Sequence, residues 1–157
     1  MRKQVLYDVY FSGGQLEWYA GYHDLPLGGD VKMEDFRTRE AMWRYMRIAR
    51  EFMEQHLPFW DMEPADELVS GEDPAYGGAE CLAKPGEVYA IYLPNGASSG
   101  DLDLGDAPGQ FVQRWFNPRT GEFEGERRLI EGGKVRSLKA PPGVHKEDWV
   151  VLVERRQ

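Results

Sequence analysis

At Pro58 the chain changes its repeat. Before it, apolar side chains recur at three- and four-residue spacing in one long segment. After it they gather in short runs broken by Gly and Pro. One switch from helical to strand character fits an α+β fold, or a helical piece attached to a separate β domain. The second fits better, because the part beyond Pro58 has about the 100 residues of an ordinary domain. The expected division is residues 1–58 and 59–157, and the expected fold class is mainly β with an α N-terminal part.

The helix is predicted over 34–56. Met42, Met46, Ala49 and Met53 form its apolar stripe, widened by Phe36, Trp43 and Phe52, with Arg39, Glu40, Arg44, Arg47, Arg50, Glu51 and Glu54 opposite. Glu40 and Arg44 are spaced for a surface ion pair, and Glu34 and Asp35 suit the positive end of the helix dipole. Pro58 lacks an amide proton and pushes Leu57 out of helical angles, which stops the helix. Residues 2–12 are ambiguous: Val5, Leu6, Tyr7, Val9, Tyr10 and Phe11 favour strand by propensity, yet Leu6, Val9 and Tyr10 also share a helical face. Gly13-Gly14 breaks the run, and 15–22 reads as an aromatic-rich buried strand.

Beyond Ala65 the pattern is antiparallel β. Cys81-Leu82-Ala83 and Val88 to Leu93 flank Lys84-Pro85-Gly86-Glu87, whose central Pro and Gly suit a tight turn. Leu102 to Leu104 is a short strand. Gln110 to Phe116 runs into the turn Asn117 to Gly121, Glu131-Gly132-Gly133-Lys134 reads as a third hairpin, and Trp149 to Val153 is the last strand. Short strands so bounded predict a sandwich or open barrel. Trp115, Phe116 and Trp149 lie in strands apolar on both faces and read as core.

Composition narrows the partners. With 19 basic against 27 acidic residues the net charge is −8, which repels phosphate backbones, so a nucleic-acid partner is not expected. No run approaches the roughly 20 apolar residues of a membrane span. Asp8 interrupts the opening stretch, so it is a poor signal peptide, and an exported parent would carry its signal upstream. The lone Cys81 allows no intrachain disulfide. Localisation stays open.

Local chemistry offers no catalytic set. Asp101, Asp103 and Asp106 alternate as calcium ligands do, but the loop lacks a closing Glu, and strand alternation turns Asp101 and Asp103 outward with the leucines inward. His23, His56 and His145 have no metal-ligand spacing, so neither metal nor cofactor is expected. Asp61, Glu63, Asp66 and Glu67 follow Phe59-Trp60. A carboxylate pair there would suit sugar hydrolysis, but a solvated connector is the simpler reading. The glycines 13, 14 and 21 around Trp18, Tyr19 and Tyr22 would let a ligand or another backbone approach.

Taken in order, several stretches resemble one family. Tyr19-Ala20-Gly21-Tyr22, then Glu34 to Arg39, the helix, and Leu57-Pro58-Phe59-Trp60-Asp61-Met62-Glu63-Pro64 resemble the last part of apiosidase-like glycoside hydrolase barrels. Cys81 to Lys84, Tyr89 to Gly96, Trp115 to Gly121 and Asp148-Trp149-Val150 resemble the domain that follows such barrels, one named for collagen binding. The resemblance implies a helix–strand–helix remnant of a TIM-type barrel before an antiparallel β-sandwich. Residues 2–12 would be the seventh barrel helix, 15–22 the eighth strand and 34–56 the eighth helix. Catalytic carboxylates of such barrels sit on earlier strands, which are not in this sequence.

The resulting expectation is a non-catalytic accessory domain of a glycoside hydrolase that packs on the barrel through the Phe36, Met42, Met46 and Met53 face. Its alternatives are a carbohydrate- or collagen-binding module, or part of an active glycosidase once joined to the missing strands. Glu17, Tyr19, Tyr22 and His23 are the candidates for a substrate-pocket contribution. Trp60, Tyr76 and Tyr92 are the candidate binding aromatics. The expected partners are carbohydrate, the missing barrel, or a second copy pairing through an exposed strand edge.

Overall fold

The computed structural model describes residues 2–17, 36–70, 78–96, 100–143 and 147–156. The N-terminal segment is helical: a π-helical turn, Arg2–Leu6, runs into α1 (Tyr7–Phe11). Strand propensity gives way here because the helix sets Leu6, Tyr7 and Phe11 together on one fully buried face and satisfies its own amides, which a lone strand could not do. Gln15, Leu16 and Glu17 are not in a strand. The rest of the expected strand lies outside the described residues.

A 3₁₀ turn, Phe36–Arg39, leads into α2 (Glu40–His56), and Leu57 before the proline is extended as the sequence requires. The buried stripe of α2 is Ile48, Ala49 and Phe52, continued by Leu57. Met42, Trp43, Met46 and Met53 are only half-buried. The predicted methionine face is therefore the flank of the interface, and its centre is turned towards Ile48. The partners Tyr45, Ile48, Ala49 and Phe52 follow the i, i+3, i+4, i+7 rule more closely than the methionines do. Ion pairs Arg47–Glu51 (3.3 Å) and Arg50–Glu54 (3.7 Å) lie on the exposed side.

Among the described residues nine strands follow: β1 (Glu63–Pro64), β2 (Val69–Ser70), β3 (Glu80–Lys84), β4 (Val88–Leu93), β5 (Asp101–Asp103), β6 (Gln110–Asn117), β7 (Glu122–Glu131), β8 (Val135–Ser137) and β9 (Trp149–Arg155). They form two antiparallel sheets, one of six strands in the order β1-β3-β4-β9-β6-β7 and one of three in the order β2-β5-β8. The two pack as a sandwich around Tyr89, Ile91, Leu93, Leu102, Phe111, Trp115, Trp149, Val151 and Val153. The alternate residues of the same central strands, among them Val88, Ala90, Tyr92, Val150 and Leu152, face the other way and pack on Leu6, Tyr7, Phe11, Ile48, Ala49 and Phe52. Antiparallel sheets often leave one face to water. This one is covered on both, by the small sheet and by the helices, which is why β4 and β9 read as unbroken apolar runs.

The β3–β4 turn is the type II turn its sequence demands. Glu87 N–H donates to the Lys84 carbonyl (3.0 Å), and Gly86 holds φ +82°, which residues with a Cβ rarely adopt. Glu131 to Lys134, by contrast, does not close a hairpin. It carries the chain from β7 in one sheet to β8 in the other. Its amides are held from outside the turn: Gly132 N–H donates to Gly109 and Gly133 N–H to Leu104. The outer edge of β7 carries Glu126, Arg127 and a register shift opposite Gln113–Trp115, features that discourage edge-to-edge pairing. Among the described residues, no helix is long and apolar enough to cross a membrane.

Candidate functional site

The helical layer is joined to the sandwich by a buried charge. Asp148, fully buried just before β9, accepts two hydrogen bonds from the Arg2 guanidinium, both 2.8 Å. Arg119, in the β6–β7 turn, donates to the Asp148 carbonyl and lies 3.4 Å from its carboxylate. The Arg119 guanidinium also covers the Trp149 ring, and the Arg2 guanidinium covers Tyr45 of α2. Burial works against the charge of Arg2, but the Asp148 carboxylate outweighs it and holds the guanidinium pKa above its ordinary value. The Asp148 carboxylate is thus held by both guanidinium groups, and the cluster has the character of a structural joint.

Tyr92 belongs to that joint. The expectation that it presents a binding surface is corrected: it is fully buried, stacked on Tyr7 with centroids 4.9 Å apart, and its hydroxyl lies 3.2 Å from Asp148. Strand alternation puts Tyr92 on the face of β4 that the helices cover, which a sequence with two apolar faces on one strand could not reveal. Burial, reinforced by the Asp148 charge, drives the Tyr92 phenol pKa strongly upward. Tyr19, Tyr22, His23 and Tyr76 lie outside the described residues.

One candidate lines a cleft, and another touches that cleft's wall from outside. Glu17 and Phe59 line one cleft of about 490 Å³ between the N-terminal segment, α2 and the 3₁₀ turn Phe59–Asp61, and Trp60 packs edge-on against Phe59 with centroids 5.3 Å apart. Tyr10, which sequence reasoning overlooked, forms a second aromatic wall, and Met53, Met62 and Leu82 supply apolar surface. Gln15, Glu17, Arg50 and Glu54 supply polar groups. Burial raises the Tyr10 phenol pKa, with Arg50 and Glu54 close enough to act on it in opposite senses. The helix α1 ends beside the cleft in a Schellman motif: Gly13, at φ +74°, donates to Tyr10, and Gly14 donates to Val9. The glycine pair thus serves the backbone turn and leaves room at the cleft wall. Trp60 is 70% exposed and Phe59 41%.

A second cleft, of about 440 Å³, brings the two acidic clusters together: Asp61, Glu63 and Glu67 line it with Asp103 and Asp106. Asp66 is engaged elsewhere, accepting the Cys81 amide at 2.7 Å, and Asp103 accepts the Gly105 amide at 2.8 Å in a local turn. Among the described residues, no three His, Cys, Asp or Glu side chains are grouped as metal ligands would be. Cys81 is buried, and burial pushes its thiol pKa up, away from reactivity.

Residues 64–154, more than half of the chain, match the family described as "Putative collagen-binding domain of a collagenase". The chain belongs to this family. No curated protein matches it in sequence. Among solved structures, this member of the collagen-binding-domain family is similar to a glycoside hydrolase (TM-score 0.64, 14% identity, 85% of this chain and 30% of that one). It is also similar to a glycoside hydrolase family 5 protein from Bacteroides vulgatus ATCC 8482 (TM-score 0.60, 18% identity, 80% and 25%). At such identities the likeness is one of fold. The chain spans about a third or less of the length of these proteins.

Proposed function

We propose that this chain is the C-terminal, non-catalytic accessory portion of a glycoside hydrolase of the apiosidase-like kind, its helical layer being the end of a barrel and its sandwich a buttress behind it. The observation that carries this reading is the shared core: α1 and α2 pack on the same sheet that closes the sandwich. The family match begins only at residue 64, whereas the fold likeness to a glycoside hydrolase takes in 85% of the chain. That difference supports reading the helices as part of the glycoside-hydrolase-like fold that precedes the family's own span. The half-buried Met42 and Met46 flank of α2 is the surface this reading assigns to the rest of the barrel.

The test is turnover. Purified chain incubated with aryl arabinosides, apiosides and plant polysaccharides is expected to release no sugar. Hydrolysis that disappears in Asp61→Asn or Glu63→Gln would overturn the non-catalytic reading. A second reading, as a binding module, is favoured for carbohydrate over collagen by the exposed Trp60–Phe59 pair beside a cleft of mixed polarity.

A further inference from the structure

We infer that the cleft between Tyr10 and Phe59 is a subsite for a neutral oligosaccharide, with the exposed Trp60, edge-on against Phe59, as a further stacking surface beside it. The inference rests on the carbohydrate-binding reading and names its site and ligand class. Three features carry it. First, the cleft has aromatic side chains from two separate elements, Tyr10 from α1 and Phe59 from the 3₁₀ turn, over an apolar surface of Met53, Met62 and Leu82. The C–H faces of sugar rings stack on such surfaces, and its volume of about 490 Å³ is in the ordinary range for small-ligand sites.

Second, the polar rim mixes both hydrogen-bonding senses. Glu17 and Glu54 accept, Arg50 donates and the Gln15 amide does both. A sugar hydroxyl is at once donor and acceptor, so it is compatible with either kind of group. Third, the charges select against anionic ligands. Arg50 is paired with Glu54 at 3.7 Å, so the rim offers no free cationic patch to a polyanion. The chain's net charge of −8 adds repulsion, and the acidic cleft nearby deepens it.

The platform is also fixed. The 3₁₀ turn is held by Asp61 N–H to Pro58 (2.8 Å) and Met62 N–H to Phe59 (3.3 Å), with the two rings braced edge-on. Little ordering is then left for the ligand to impose.

The experiment is calorimetry and tryptophan fluorescence on the full chain with xylohexaose, cellohexaose and an arabinan hexamer, with an oligogalacturonide and a collagen-like triple-helical peptide as contrasts. At least one neutral hexamer is expected to bind. Phe59→Ala and Trp60→Ala should each weaken it about fivefold, since a lost aromatic stacking partner is worth on the order of 1 kcal/mol, with the melting midpoint nearly unchanged. Absence of binding by every neutral hexamer overturns the proposal. So does binding that survives both substitutions, tighter binding of the oligogalacturonide or the peptide, or a dimer in which Trp60 is buried. None of these outcomes bears on whether the chain hydrolyses glycosides, so the accessory reading stands or falls separately.

Discussion

Asp148 shows how much can depend on one side chain. Its carboxylate is fully buried, and its main countercharge, Arg2, lies 146 positions away in sequence. Removing one partner of a buried pair strands the other, so Arg2→Leu is expected to cost about 3–5 kcal/mol, read as a drop in the urea midpoint. Arg2→Lys should fall between, keeping the charge but losing the two-pronged geometry. His56 gives a pH signature. Burial, with the positive charge of Arg114, holds its imidazole below the ordinary value of 6.5. The unfolded chain therefore takes up this proton first as the pH falls. The stabilising contribution is fully present above about pH 6.5 and is lost on acidification through the folded pKa. Melting midpoints should fall more steeply between about pH 7 and 5 in the native protein than in His56→Gln. Equal slopes would show that His56 does not contribute.

At the scale of elements, burial sorts the residues of α2. Phe52 packs on Phe116 with centroids 4.5 Å apart, so Phe52→Ala should cost about 3–5 kcal/mol and disturb helix and sheet signals together. Met46→Gln, on the flank, should cost about 1 kcal/mol or less in the same melts. The apolar strands were legible from sequence, because Pro85-Gly86, Asn117 to Gly121 and the runs of β4 and β9 each encode local geometry, whereas the two- and three-residue β1, β2 and β8 and the mostly polar β7 carry no such run. The helix end at Leu57 was legible for the same reason. What could not be read was orientation. Nothing local says that Glu131 to Lys134 crosses between sheets, or that Tyr92 faces helices and not water. Both depend on partners distant in sequence. The cleft was only partly legible: Glu17 stood out as a residue type, but Tyr10 and Phe59 joined it only once α1 was set beside α2.

At the scale of the whole molecule, three layers share two cores, and the middle layer belongs to both. A fragment comprising residues 64–154 alone would uncover Leu82, Val88, Ala90, Tyr92, Phe116, Val150 and Leu152 in one contiguous face. It is expected to precipitate, or to bind a hydrophobic dye such as ANS strongly, while the full chain stays dispersed under the same conditions. A well-dispersed fragment with a sharp near-ultraviolet dichroism spectrum would contradict this.

The doubly covered sheet also bears on how such a unit can be passed between proteins. Gene shuffling favours modules that can be cut out and grafted without wounding their surface. This one cannot be separated from its helices at the point where the recognisable β sequence begins, because the helices are its second skin. Wherever the β portion has been transferred to a new host, either the helices travelled with it or the recipient supplied an apolar layer of its own.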